Sequence, residues 1–497
     1  LDKYAYNLVE GMFSGPLWMQ KDSLGNKTKP RLGFLVSANV TDRLDSRPLA
    51  DGSWRIKKQV KDSLLANPLR PTSTGFGTFH NALFLRQDDF EKTKWRMNAR
   101  NTAISAQAKI DVNTGPSVNL SFGGSMNYSW GNNYSYSGSL LNFSNFGAYK
   151  SLDWRVFGRL TQRFTNDSED GSSKIKSAYY SLMVDYSKSM DDAFDPKHEY
   201  NIFNYGHVGT FTTTRRPSYS LNPTTNAYEH DGFRDLTVDY SPSETNSALA
   251  AITSQYYDIY GGSPEGHYEN LLQIQQGNAL INGYGPGSVY SIWSNIGTPY
   301  NYFGKTENDQ FRVTGSGSAN IGDHSLSLGF EFEKRWDRGW RSGTTTGGGS
   351  NGPMGIWTIA RQLTNFHITE LDVNSSVSVD SNNFEYITYD RLNTGYAYTS
   401  GTGEYGGQVN NDNQSFFDYN LRKYLTEQGF IDGGVDGTDF IDIDQYDPSI
   451  YNFGMFSPDE LLNGGNSYVS YWGYDHTGDK VNGVTNISDY FNEVDDN

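Results

Sequence analysis

From Phe311 to Trp336 the chain alternates between apolar or small side chains and polar ones. Phe311, Val313, Gly315, Gly317, Ala319 and Ile321 share one parity, and Arg312, Thr314, Ser316, Ser318 and Asn320 share the other. Beyond Gly322-Asp323-His324 the pattern resumes, with Leu326, Leu328, Phe330 and Phe332 set against Ser325, Ser327, Glu331 and Glu333. A period of two places successive side chains on opposite faces, so two such runs about a Gly-Asp turn predict an antiparallel hairpin. Each run covers about ten residues, whereas soluble strands cluster at about 5–6. Crossing a hydrocarbon layer takes about 9–11 tilted residues. Strands of that length, apolar on one face and polar on the other, are what a transmembrane β-barrel requires.

The same pattern recurs upstream. Val9, Gly11, Phe13, Gly15 and Leu17 form a less regular first strand, and Phe34, Val36, Ala38 and Val40 a second. Ile104, Ala106, Ala108, Ile110 and Val112 oppose Ser105, Gln107, Lys109 and Asp111. They are answered across Asn113-Thr114-Gly115-Pro116 by Val118, Leu120, Phe122, Met126, Tyr128 and Trp130. A further pair runs through Leu152, Trp154, Val156, Leu160 and Phe164, then Ala178, Tyr180, Leu182, Val184 and Tyr186. The connections alternate in length, short after Leu17, Asn113, Phe164 and Ile321, long after Asp42, Trp130, Met190 and Trp336. Short turns at one rim and long loops at the other are the asymmetry of bacterial outer-membrane barrels. A soluble sandwich or barrel is the alternative, but its loops have no reason to sort by parity. The expected fold is therefore all-β, with barrel strands over residues 1–336 and a large acidic loop region over 337–497. Within that region Phe417, Leu421 and Leu425 ahead of Gly429 predict a short helix. Ser457-Pro458-Asp459-Glu460 before Leu461 and Leu462, with Gly464 as a stop, predicts a second, capped one.

Hydropathy changes this picture little. Only 36% of the 497 residues are hydrophobic and no run approaches the roughly 18 apolar residues of a membrane helix, which does not exclude strands that spend half their positions on polar side chains. With no cysteine, there is no disulfide framework and no thiolate metal site. Charge is lopsided: from Gly401 to Asn497 there are 18 acidic and 3 basic residues (−15), and the rest holds 39 and 37 (−2), summing to −17. That block argues against nucleic acid or anionic lipid as its partner and suits a solvated surface or cation binding. The chain opens in mid-pattern at Leu1 without a signal sequence, as expected of a mature or partial piece.

Several segments resemble one family. They are Ser14-Gly15-Pro16-Leu17 with Leu32-Gly33-Phe34, Asn295-Ile296-Gly297-Thr298-Pro299-Tyr300, Asp439-Phe440-Ile441-Asp442 through Asp447-Pro448, and Met455 to Leu462 with Tyr468 to Tyr474. Together they are similar to TonB-dependent outer-membrane receptors of the Oar-like branch, which carry very large outer loops. The resemblance implies a portion of a barrel of about 22 strands, closed by a plug domain and driven by an inner-membrane energy-coupling complex. No plug or coupling box precedes Leu1, and the alternation supplies eight or nine strands, so a partial barrel is implied. Such a piece cannot close alone, because an open edge in lipid leaves backbone groups unpaired.

The resemblance implies uptake of a surface-captured ligand across the outer membrane, with Gln107, Lys109, Asp111, Asn119, Arg155, Arg159, Glu331 and Glu333 facing plug and ligand. The other class of function is a passive surface protein, an adhesin or structural barrel. Enzymatic chemistry has only Gly348 to Gly352, a G-x-S-x-G match, behind it, and the match neither follows a buried strand nor opens a helix. Asp432, Asp436, Asp439, Asp442 and Asp444, with Gly433, Gly434 and Gly437, offer hard oxygen ligands for calcium, though without the standard twelve-residue loop spacing. A solvated acidic loop is the plainer reading. Trp130, Trp154, Tyr186 and Trp336 are candidates for interfacial girdles. Trp293, Tyr300 and Trp357, with Tyr256, Tyr257 and Tyr302, either stack on a glycan, peptide or protein ligand or pack on one another.

Overall fold

The computed structural model describes residues 3–115, 117–165, 175–261, 268–343, 352–365, 368, 372–379, 385–390, 414–437, 439–462 and 467–481. Its main element is one antiparallel sheet of nine strands, each beside its neighbours in sequence. Eight are long: β1 (Tyr6–Lys21), β2 (Lys27–Arg43), β3 (Asn101–Asn113), β4 (Val118–Asn133), β5 (Gly147–Thr165), β6 (Ile175–Phe194), β7 (Phe303–Ile321) and β8 (His324–Ser342). The ninth, β9 (Val469–Trp472), pairs only with the last turn of β8, Gly339 to Ser342. The expected alternation of connections holds. Asp22–Asn26, 114–117, 166–174 and Gly322-Asp323 join strands at one end, and all the long segments leave from the other.

Register aligns the faces. Ala38, Ala106, Met126, Trp154, Lys188, Asp309 and Trp336 form one rung across seven strands. The next rung toward the short turns holds Val36, Ala108, Gly124, Val156, Tyr186, Phe311 and Lys334. Below it the face is apolar and open: Phe122 is 52% exposed, Phe332 56% and Leu328 82%. Phe330 folds its ring over Gly315 on the paired strand, where a Cβ would come within 2.1 Å of the ring. That close approach is why a glycine stands in an otherwise bulky row. Toward the loops the same face turns charged, with Lys188 on Glu307 (2.7 Å), Arg338 on Asp309 (2.6 Å) and Lys480 on Glu307 (2.6 Å).

The sheet does not close on itself among the described residues. β1 pairs only with β2, and β8 below Gly339 pairs only with β7. The antiparallel, two-faced character of the expected fold is present in this open sheet.

Buried apolar side chains collect in the loops, not on the sheet. The largest cluster joins Phe203, Tyr205, Trp357, Phe417, Leu421, Leu425 and Phe456 to Trp340 and Phe303 at the strand ends. Two others gather around Leu249, Ile252 and Tyr256, and around Ile56, Leu141 and Val289. Among the described residues six α-helices serve this cap: α1 (Lys58–Ala66), α2 (Ser247–Tyr260), α3 (Leu271–Gln276), α4 (Ile356–Leu363), α5 (Phe416–Glu427) and α6 (Pro458–Leu461). Both helices expected from the sequence are present. α5 buries Phe417, Leu421 and Leu425 completely, and the left-handed Gly429 (φ 73°) ends the segment. α6 carries the Ser457–Glu460 capping box. Glu460 also accepts from the Phe416 N–H (2.8 Å), so one carboxylate ties the first turns of both helices together. Gly464 and residues 344–351 lie outside the described residues. Among those described, no helix is long and apolar enough to cross a membrane, which says nothing of strands.

Arg422 and Asp418, both fully buried on α5, pair at 2.8 Å, and Arg422 also donates to the Asn365 side chain and the Asp439 carbonyl. Removing one partner strands the other charge. Arg422→Leu should cost the cap about 3–5 kcal/mol, read as lost hydrogen-exchange protection in α5. Unchanged protection would show that the pair contributes nothing.

Candidate functional site

Two cavities have the placement and chemistry of binding sites. The first lies on the polar face of the sheet. Two adjacent rungs line it: Ser37, Gln107, Ser125, Arg155, Ser187, Gln310 and Arg335, then Asn39, Ser105, Asn127, Asp153, Ser189, Asn308 and Asp337. The hollow is about 600 Å³ and draws on seven strands, so the sheet curls toward its polar side. One rung beyond it toward the short turns, the nearly inaccessible Asp185 carboxylate takes Arg155 from one neighbouring strand and Arg312 from the other, both at 3.1 Å. All eight residues expected on the inner face sit on this side by register, and Gln107 and Arg155 line the hollow itself. Trp154, Tyr186 and Trp336 lie on the opposite face near the loop end, with Trp154 and Tyr186 5.4 Å apart. Trp130, two rungs nearer the loops than Trp154 on that face, stacks with Tyr128 at 5.2 Å.

The second cavity is larger, about 1060 Å³, and sits in the cap where four connections meet. Tyr134, Tyr284, Tyr300, Tyr302 and Tyr468 line it with Asn98, Asn133, Asn142, Asn145, Asn301 and Gln362. Tyr300 and Tyr302 stand edge to face at 6.2 Å, and Asn133 donates to the Tyr300 hydroxyl at 3.3 Å. The wall is braced from behind: Asn142 donates to the Thr298 carbonyl (2.7 Å) and accepts from the Gly297 N–H (3.0 Å).

The three aromatic candidates part company. Tyr300 lines the large cavity. Trp293 packs on Tyr136 at 4.9 Å and borders a separate apolar recess of about 390 Å³ with Trp54, Phe90 and Leu140. Trp357 is fully buried, its ring flanked by Phe203, Tyr451 and His207 and its indole N–H donated to the Phe203 carbonyl (3.1 Å). It is a core residue of the cap and presents no face to a ligand. Tyr256 and Tyr257 likewise pack on Tyr268 and Tyr240.

The acidic candidates are also divided. Asp432, Asp436 and Asp439 are exposed, whereas Asp442 and Asp444 are buried. Asp444 takes both arms of Arg361 (2.6 and 2.7 Å) and the Asn282 amide (2.9 Å). Asp442 faces Arg215 at 3.7 Å. Among the described residues, no three His, Asp or Glu side chains are grouped to hold a metal. Sequence reasoning missed Asn133, Asn142, Tyr284, Gln362 and Tyr468. Their only signal is a surfeit of Asn and Tyr in the loops. Gly347 to Asn351, most of the G-x-S-x-G match, lie outside the described residues.

No protein-family model matches the chain, and no curated protein is similar to it.

His207 lies buried beneath Trp357, ring centroids 5.7 Å apart. Burial pushes its imidazole down to about 4, against the opposing pull of Asp447 and Asp444. Burial and the Asp444 charge push Asp442 up to about 6, against Arg215. A base with a lowered folded pKa contributes stability above its unfolded value, lost as pH falls toward the folded one. An acid with a raised pKa does the reverse, losing stability as pH rises. His207→Gln should therefore gain on the parent protein as pH falls from about 6.5 to 4, by up to about 1.4 kcal/mol per unit. Asp442→Asn should surpass the parent near pH 7 and converge with it near pH 4. Urea midpoints across that range check both, and parallel curves would refute the assignment.

Proposed function

We propose that this chain is part of an outer-membrane receptor of the TonB-dependent type, which captures a ligand at the cell surface and imports it with inner-membrane energy. One observation carries the reading: an open apolar face on one side of long strands and a polar hollow on the other. Water would not leave Phe122, Leu328 and Phe332 exposed in one continuous field, since patches beyond a few hundred Å² mark a surface meant to be covered. Lipid covers it without further protein. Ten residues separate Phe164 from Trp154; at about 3.3 Å each and a tilt near 45° they span roughly 23 Å of bilayer normal, against an apolar band of about 25 Å. Phe164 and Tyr180, 6.1 Å apart, mark one border. Trp154, Tyr186 and Trp336 mark the other, with the Lys334 ammonium drawn back over the Trp336 ring at 4.6 Å. Level with Trp154 and Trp336 and beyond them toward the loops, the charged network around Asp309 and Glu307 belongs in water.

The two open edges fit the same reading. Each unpaired backbone group in hydrocarbon costs several kcal/mol, so further strands pair with β1 and β8 to close a larger barrel, whose lumen is the polar hollow that receives the plug. The resemblance to the Oar-like branch supports energised uptake. The cap supports ligand capture and would equally serve a passive adhesin.

Epitopes placed at Gly25 in a short turn and at Gly287 in the cap decide the topology: antibodies on intact cells should reach only the second. Ligand accumulation should stop in a strain lacking the inner-membrane energy complex, and accumulation that persists would leave a passive surface protein. Phe332→Arg, near the middle of the apolar band, should cost about 2–4 kcal/mol in lipid. Ser316→Arg, on the polar face, should stay within about 0.5 kcal/mol. Urea unfolding from liposomes measures both, and a Phe332→Arg chain that folds in detergent-free buffer would remove the membrane from the account.

A further inference from the structure

We infer that the large cap cavity is a binding site for a neutral oligosaccharide, an inference that rests on the proposal that the cap faces the outside. The argument begins with what the wall leaves out. Charged residues make up 20% of the chain and the loops are strongly acidic, yet no Asp, Glu, Lys, Arg or His is among the described residues lining this cavity. Its polar side chains offer phenol, carboxamide and hydroxyl groups, set among glycines and the apolar Phe146, Ala193, Pro286, Pro299 and Met354. A carboxamide offers two donors and two acceptor sites and a phenol one of each, which matches the mixed donors and acceptors of a sugar's hydroxyl groups. Tyrosine rings supply flat apolar platforms for the C–H faces of pyranose rings and keep a polar tip for the ring edge.

Other classes of ligand fit less well. A peptide brings charged termini and side chains, and this wall holds no ion to pair with them. A metal chelate or a phosphate ester needs cations or hard anionic ligands, also missing from the wall. A protein partner needs about 800 Å² of surface per side, not a concavity. At about 1060 Å³ the cavity stands at the upper end of small-ligand sites, about 300–1,000 Å³, and admits several sugar rings. The corner formed by Tyr300 and Tyr302 and the Asn142 amide locked into the Gly297–Thr298 backbone make the wall preorganised, so little ordering cost is left for binding.

The complete gene product in detergent is titrated calorimetrically with cello-, malto-, xylo- and mannohexaose, and with an uncharged hexapeptide with blocked termini. At least one hexasaccharide should bind saturably, with an affinity unchanged between low and high salt because no ion pair is involved. Tyr284→Ala, at the exposed lip of the cavity, should weaken it about tenfold through the lost stacking face. Gln362→Glu, also exposed, should weaken it by a similar factor and introduce salt dependence. Both variants must keep the parent's unfolding midpoint, which separates a lost contact from a lost fold. Binding by none of the sugars, binding of the peptide alone, or sugar binding untouched by both variants would each overturn the inference. Binding without energy-dependent accumulation in cells would keep this site and overturn only the importer.

Discussion

Strand register sets the environment of most side chains in the sheet. Because strand side chains alternate with a period of two, a slip of one residue would exchange every outward position for an inward one. Here the pairing runs unbroken from Ser177↔Thr165 to Phe194↔Ala148 and from Ile321↔His324 to Phe303↔Ser342. The Asp185 carboxylate, held between Arg155 and Arg312 on the flanking strands, links three strands through one charge on the polar side. A slipped register would move that carboxylate to the apolar face, away from both guanidinium groups. The ion pairs thus favour one register out of several that backbone hydrogen bonding alone would allow.

With its apolar face left to an outside medium, the sheet has no core of its own, and the compact apolar interior forms elsewhere. The long connections between β6 and β7 and after β8 meet over the strand ends and bury Phe203, Trp357, Phe417 and Phe456 together with the strand residue Trp340. A structureless connection as long as the one between Ser342 and Val469 would be unusual; helices α4, α5 and α6 give this one a fold. The two halves stay continuous because Trp340 and Phe303 are strand residues and core residues at once.

Electrostatics divides the cap by function. Buried charges are used in pairs, Asp444 with Arg361 and Asp418 with Arg422, each with further amide or carbonyl partners. The first pair joins loops that lie far apart in sequence, and Arg422, paired within its own helix, reaches the distant Asn365 side chain and Asp439 carbonyl. Exposed acids such as Asp432, Asp436 and Asp439 face solvent. The large cavity lies between these layers and carries neither kind of charge. The segregation leaves one concave surface in a strongly acidic protein with no charged side chain among its described lining residues, while Asp195 accepts from the Tyr300 N–H and Arg96 lies over the Tyr134 ring.

The alternation from Phe311 to Trp336, the parity of short and long connections, the helix of Phe417, Leu421 and Leu425 and the Ser457–Glu460 cap were all legible in sequence. Each depends on residues within a few positions of one another, and period, turn chemistry and capping are local physics. The eight residues of the polar face were legible for the same reason. The partition of the loop aromatics and acids was not. Trp357 is a core residue because its indole N–H finds the carbonyl of Phe203, 154 positions away, and Asp444 is locked because Arg361 and Asn282 converge on it from distant loops. Ile356, Ile359, Ala360 and Leu363 held the helical spacing that would have placed Trp357 on a buried face. The neutral cavity had no such local trace, since its wall is assembled from four separate connections. Local pattern therefore determined which face each strand residue takes, and only the meeting of distant loops decided which polar and aromatic side chains are core and which are site.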